Sequence, residues 1–360
     1  MRDFDLNNIL QNYGLHLDSC TIDEFKLGHI NDSFLIDVGG QCSFFLQRIN
    51  HHVFKDPEGL TENLIRVNHA MKDYYGKDNN PYPEIIQNRN KKYYHRDREG
   101  NYWRLMQFVV NSRSFNICES ANIAREGAAA FGRFQLVMNA QDPSEYVPTI
   151  PDFHHLGKRL QQLQRAVEED KDSRTALAAE EIGFALDRLH FATELDKLLK
   201  DKTIPLRVTH NDTKLNNVLF RLDREEQICV VDLDTVMPGT VLFDYGDMVR
   251  TFTSPVEEDE PDPAKVVFRT DIFEALTAGY LAELKNSLTN AEKKHLLFGG
   301  KIMLLMIGVR FLTDFLEGDH YFKISRENHN LERCRNQFAL LKQLEDREAD
   351  LQEIIKKYAE

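Results

Sequence analysis

The 360-residue chain has little of what marks the simpler protein classes. Its five cysteines, Cys20, Cys42, Cys118, Cys229 and Cys334, are odd in number and scattered, with no C-x-x-C pair and no Cys/His cluster. A disulfide framework or a structural zinc site is therefore not expected, and a reducing cytoplasm fits best. No run approaches the ~18 apolar residues of a membrane helix. The longest candidate, residues 302–309, is closed by Lys301 and Arg310, so no membrane contact is expected. The N-terminus, M-R-D-F-D-L-N-N-I-L, has acids where a signal peptide carries a positive region and an apolar block. Glycine (18) and proline (11) are too few for a collagenous or low-complexity chain. Positive charge is short: 45 Lys and Arg face 58 Asp and Glu, a formal net charge of −13. Such a chain repels a polyanionic backbone, which argues against a nucleic-acid partner. The basic, aromatic stretch N-K-K-Y-Y-H-R-D-R at 90–98 reads as a solvated hairpin.

What is present is ordinary globular composition, 42% hydrophobic and 29% charged, with length enough for two lobes. Residues 21–49 read as a small antiparallel meander: short β-rich runs parted by Gly28, an H-I-N-D turn and Gly39-Gly40. Asp56-Pro57 then gives an N-cap followed by proline at the first helical position. Leu60, Leu64, Val67 and Met71 have helical spacing over 58–75. Pro81 and Pro83 break the pattern, and K-K-Y-Y-H and Y-W-R-L-M-Q-F-V-V read as two more strands. Beyond Asn111 the chain turns helical, at 125–138, 156–168 and 180–199, and again from about Pro263 to the end. A β-type island at 206–236 interrupts it. The expected class is α+β, with a small antiparallel-sheet lobe at 1–110, a crossing at about 106–111, and a larger, mainly helical lobe at 111–360.

The island carries the chemistry. V-T-H-N-D-T-K-L-N-N-V-L-F contains His210-x-Asp212-x-x-x-x-Asn217, and the strand I-C-V-V ends at Asp232, fifteen residues after Asn217. Phosphoryl transfer from ATP needs one carboxylate facing the acceptor hydroxyl, and an amide oxygen with a carboxylate to hold Mg²⁺ against the phosphates. Three hard oxygen groups without a soft ligand suit Mg²⁺ rather than zinc. The rival reading is an Asp/Asn-rich turn with capping side chains, which leaves the paired strands and the upstream lobe unexplained.

The loop H-N-D-x-x-x-x-N with V-D-L-D resembles the protein-kinase-like phosphotransferases of small molecules, the superfamily of aminoglycoside phosphotransferases and choline kinases. More narrowly, six strings resemble bacterial N-acetylhexosamine 1-kinases: G-H-I-N-D-S, F-L-Q-R-I-N, V-F-K-D-P-E, T-H-N-D-T-K-L-N-N-V, D-L-D-T-V-x-P-G and R-F-L-T-D-F-L-x-G-D-x-Y-F. The resemblance spans about residues 28–322. It implies a two-lobed protein-kinase-like fold, with the first lobe binding nucleotide. It also implies Asp212 as catalytic base and Asn217 and Asp232 as Mg²⁺ ligands, with Asp234 as a further metal-side carboxylate. His210 matches a loop-stabilising position, and Asp244 an acid bracing the loop through backbone N–H groups, or else a helix N-cap. Lys214 either touches the transferring phosphoryl group or pairs with an acid.

On the nucleotide side the chain departs from G-x-G-x-x-G, having a single glycine in G-H-I-N-D-S. Turn N–H groups with Asn31 and Ser33 are expected to cradle phosphate, with Asp32 shaping the turn. Arg48 stands where a lysine is usual, and Glu62, with Glu58 as fallback, is its expected helix partner. Backbone around Met106, Gln107 and Phe108 should hold adenine. On the acceptor side, Arg310 and Asp314 interrupt a nearly all-apolar helix at i, i+4, either as a self-satisfied bridge or as a pocket wall with Tyr321. The implied reaction is transfer from ATP to the anomeric hydroxyl of an N-acetylhexosamine by a monomer or weak homodimer. The alternatives are another acceptor (choline, an amino alcohol, an aminoglycoside) or a catalytically inactive nucleotide-binding module.

Overall fold

A computed structural model describes residues 4–25, 30–171 and 173–360. Gly28, the glycine of the expected phosphate turn, lies outside them. The chain divides into two units.

The first unit comprises Met1–Arg113, Ser144–Pro151 and Val231–Met237. It opens with α1 (Leu6–Asn12), which the sequence reading passed over, followed by β1 (Cys20–Phe25), β2 (Asp32–Val38) and β3 (Gln41–Ile49). These three form the expected antiparallel meander, with Phe34 opposite Leu46 and Ile36 opposite Phe44. Asp56 caps α2 (Pro57–Tyr75) by accepting from Gly59 N–H at 2.9 Å. Then come β4 (Ile85–Ile86), β5 (His95–Arg96), β6 (Tyr102–Gln107) and β7 (Ser112–Arg113). The sheet runs β1-β2-β3-β6-β4, with β5 also on β6. Alternate residues Phe34, Ile36, Leu46, Trp103 and Leu105 bury one sheet face against Ile9 and Leu10 of α1.

The unit does not end at a single cut near residue 110. Asn63, buried on α2, donates to the carbonyls of Val147 (2.8 Å) and Val236 (3.0 Å) and accepts from Val147 N–H (3.0 Å). One side-chain amide thereby stitches two later segments onto the sheet lobe.

The second unit comprises Ser114–Pro143, Asp152–Val230 and Pro238–Glu360. Its helices are α3 (Ala121–Met138), α4 (Leu156–Glu169), α5 (Ala179–Leu186), α6 (Leu189–Lys200), α7 (Val241–Phe252), α8 (Thr270–Leu284), α9 (Asn290–Leu316), α10 (His329–Asp346) and α11 (Glu348–Ala359). Strands β8 (Arg207–Thr209), β9 (Val218–Arg221) and β10 (Gln227–Val230) form the β-type island. Two expectations change. The single helix at 180–199 is two helices, broken at Asp187-Arg188, and α7 precedes Pro263.

A third change concerns α9, whose 27 residues are long and apolar enough by composition to cross a membrane, although no uninterrupted apolar run suggested it. Most of α9 is buried within the unit, as befits a core helix. Its start is fixed by a capping box between Thr289 and Glu292. Helices α7 and α9 meet backbone to backbone at Gly246 and Gly299, where a Cβ on either would collide with the partner helix's main chain. That close approach sets α7, carrying Asp244, against α9, carrying Arg310. Among the described residues Cys20, Cys118, Cys229 and Cys334 form no disulfide.

Candidate active site

The loop between β8 and β9 is held from behind. The Asp244 carboxylate, in the first turn of α7, accepts from His210 N–H at 2.9 Å and Asn211 N–H at 2.7 Å. Its backbone carbonyl accepts from the Thr213 hydroxyl at 2.6 Å. Asp244 is not the N-cap of α7; Thr240 is, accepting from Leu242 N–H. Burial pushes the Asp244 carboxyl up to about 7 against the two amides, with Asp247 and Asp212 adding like charge. His210 is fully buried, its ring edge-on to Phe131 and Phe134. The ring is thus packed in the core of the unit.

Asn211 has a left-handed backbone, φ +63°, a conformation Asn tolerates better than most residues. The half-buried Asp212 follows at once. Burial raises its pKa, but Lys214 and His210, with hydrogen bonds from Lys214 and Asn217, outweigh burial and hold the carboxyl below its usual range. Lys214 Nζ lies 3.2 Å from the carboxylate. Asn217 donates through Nδ2 to both the Asp212 carbonyl (2.9 Å) and carboxylate (3.0 Å), which turns its amide oxygen away from them.

In the same unit, α9 carries Arg310. Of the two readings for Arg310 and Asp314, the self-satisfied bridge does not form. Asp314 is buried and its carboxylate accepts from Tyr321 N–H (2.7 Å), Phe322 N–H (2.9 Å) and Asn330 Nδ2 (2.8 Å). It therefore shapes the loop after α9. Arg310 instead lies among three rings, 5.6 Å from Phe153, 5.9 Å from Tyr321 and 5.5 Å from Phe322. Tyr321 is 68% exposed. Among the described residues Arg310 has no carboxylate partner.

Two residues here are not among those expected from the sequence: Arg159 gives no signal, and His154 is set aside because lone histidines are usually structural. Arg159 of α4 donates to the carbonyls of Asp152 and Phe153, and Arg310 lies near enough to lower its pKa after burial. His154 places Nε2 2.9 Å from the Asn211 carbonyl. A His-His pair on a loop gives no spacing signal, and their partners lie far off in sequence.

The first unit holds a separate polar network. Arg104, buried in the middle of β6, makes a bidentate pair with Asp234 (2.5 and 3.0 Å) and also holds Gln47. Asn31 donates to the same Asp234 carboxylate at 2.7 Å and accepts from Asn50 N–H at 2.9 Å. Both Asp234 oxygens are thus engaged by an arginine and an amide, an arrangement that suits a carboxylate behind the metal ligands better than a direct ligand. Arg104 was missed, though one charge inside an apolar strand is a legible anomaly. Arg48 is also buried; it pairs with Asp32 and bonds Asn101 at 3.2 Å. The expected Arg48–Glu62 pair is absent. Glu62 faces solvent beside Arg66 one helical turn on, while Asp32 lies directly across the ladder from Arg48. Ser33 is buried and accepts from Gln47 Nε2 at 3.1 Å. Gln107 ends β6, exposed, and its backbone N–H donates to the Glu84 carbonyl at 2.9 Å; Phe108 follows, half-buried. Asp232 is exposed, with left-handed backbone (φ +59°).

The family model that describes the phosphotransferase enzyme family matches residues 21–279. The chain belongs to that family. Its fold is that of solved aminoglycoside phosphotransferases and choline kinases. The aminoglycoside phosphotransferase of Alicyclobacillus acidocaldarius is 11% identical with a TM-score of 0.64, over 99% of this chain and 98% of that one. A spectinomycin phosphotransferase, solved with ADP and spectinomycin, is 13% identical with a TM-score of 0.62, over 94% and 97%. Choline kinase from Cryptosporidium parvum is 16% identical with a TM-score of 0.59, over 94% and 92%.

Proposed function

We propose that this phosphotransferase is an ATP-dependent sugar 1-kinase acting on N-acetylhexosamines. Asp212 is the base: held ionised by Lys214 and Asn217, it orients the anomeric hydroxyl and takes its proton as the oxygen bonds the γ-phosphorus. The bond from that phosphorus to the β-phosphate oxygen breaks, and ADP leaves. His210 and Asp244 keep the loop in place. Asn217 and Asp232 are the metal ligands; an amide oxygen free of intraloop bonds and an exposed carboxylate suit a hard cation. When bound, Mg²⁺ would neutralise phosphate charge.

In the first unit Asn31, Ser33 and Arg48 serve the nucleotide, with Gln107 and Phe108 at the adenine end. Asp32 orients Arg48 in place of Glu62. Lys214, Arg310, Asp314 and Tyr321 serve the acceptor, and Asp314 also fixes the Tyr321–Phe322 backbone. The free thiols and acidic charge suit a cytoplasmic enzyme.

The observation that favours a sugar is Arg310. A site for choline or an aminoglycoside needs carboxylates and open aromatic faces for a cation. Here a guanidinium occupies the rings, with Arg159 nearby. A guanidinium offers donors to hydroxyl and acetamido oxygens. An ATP-consumption panel over N-acetylhexosamines, plain hexoses, choline and aminoglycosides, with phosphorus NMR of the product, tests this reading. It expects a sugar 1-phosphate from an N-acetylhexosamine. Turnover confined to choline or an aminoglycoside would overturn the sugar assignment, and no turnover with any acceptor would favour the inactive module.

A further inference from the structure

The loop carrying Asp212 is fixed at its amides by Asp244, but a peptide also needs its carbonyl placed. Asn211 is the pivot. Its N–H goes to Asp244 and its side chain exchanges hydrogen bonds with Thr209, donating to the carbonyl (3.1 Å) and accepting from the hydroxyl (3.1 Å). The carbonyl belongs to the Asn211–Asp212 peptide, whose plane sets the direction in which Asp212 leaves the turn. That carbonyl meets His154 Nε2 at 2.9 Å.

His154 is built to hold it. It stands 57 residues upstream, just before α4, and is 91% buried. Its ring packs on Phe153 (4.3 Å between centroids) and on Phe243 (4.9 Å), the α7 residue next to Asp244. Arg159 in turn grips the carbonyls of Asp152 and Phe153, steadying the turn from which the ring projects. Facing a carbonyl oxygen, Nε2 must be the protonated nitrogen. Nδ1 is then a lone pair, buried and without a hydrogen-bond partner, so the ring has no second tether to compete with the first. Burial, with Arg310 and Arg159 nearby, keeps the imidazole neutral, lowering its pKa to about 4 although Asn211 and Asp212 pull the other way.

We propose that His154 is a positioning residue for the base: its Nε2–H clamps the Asn211 carbonyl and so fixes the strained turn that aims the Asp212 carboxylate. The inference rests on Asp212 acting as the base. His154→Phe keeps an aromatic ring against Phe243 and removes the donor. His154→Gln returns an N–H donor of similar reach. With the best acceptor from the panel, His154→Phe should lose about 10- to 100-fold in kcat, since small misplacements of a reacting group cost that much. KM for ATP and acceptor should stay within about twofold, and the Gln variant should recover most of the loss.

A Phe variant that turns over like the parent, or a Gln variant as impaired as the Phe one at equal thermal stability, would overturn the proposal. A second readout needs no turnover. Long-range proton–nitrogen NMR of the full chain, with the His154 signal assigned by its loss in the Gln variant, should find the ring proton on Nε2. A proton on Nδ1 would overturn the clamp. Failure of the Asp212 reading is told apart by Asp212→Ala, which would then keep its activity while the NMR result still decides His154.

Discussion

At Asp244 two demands oppose each other: the loop needs a carboxylate to accept from two amides, and the core resists a charge. The balance lies near neutrality, with burial raising the pKa to about 7 from an ordinary 3.8. Between those values the folded chain holds a proton that the unfolded chain has released, so this group's contribution to stability falls as pH rises toward 7. Asp244→Asn cannot titrate. Urea unfolding of the parent and the Asn variant at about pH 5 and 8 should find the parent losing a few kcal/mol more over that interval. Equal pH dependence would mean that the carboxyl is already ionised at the lower pH. Arg310→Ala should raise the acceptor KM about tenfold, roughly 1.4 kcal/mol, and leave ATP binding alone. Isothermal titration with sugar and nucleotide separately checks this, and an unchanged sugar affinity would return Arg310 to packing. At this scale the sequence was legible where partners are close along the chain: Asp212, Lys214 and Asn217 share one loop and are found together. It was not legible where the partner comes from afar. Arg104 with Asp234, and His154 with Asn211, are 130 and 57 residues apart, and neither pair has a spacing to read.

Among the elements, the meander and the capped α2 follow from turn residues and proline placement, and the structure has them as expected. Helix α7 was hidden because Asp244, Asp247 and Arg250 are buried on it, which breaks the apolar stripe by which a helix is recognised. They are buried because they are bonded: Arg250 pairs with Asp247 at 2.8 Å and with Glu258. The break between α5 and α6 has no glycine or proline to announce it. The contact of α7 with α9 depends on glycine at Gly246, where an added methyl meets the Gly299 carbonyl. Gly246→Ala should destabilise the chain by about 1–3 kcal/mol, read as a lower urea midpoint. An unchanged midpoint would mean that the two helices shift apart at no cost.

For the molecule as a whole, family membership establishes phosphotransferase chemistry, and in the function proposed above a few side chains of the helical unit choose the acceptor. Its acidic total charge says little of that choice, because the cations of the helical unit act locally: Lys214 lies beside Asp212, and Arg310 and Arg159 act on His154. The account's central claim is that one carboxylate receives the proton of the acceptor hydroxyl. The most direct test is phosphate transfer by Asp212→Ala, followed by phosphorus NMR, beside Mg·ATP binding measured on the same preparation. The account predicts nucleotide binding close to that of the parent and transfer reduced by at least about 100-fold. A variant that binds nucleotide and still transfers at near the parent rate would contradict it.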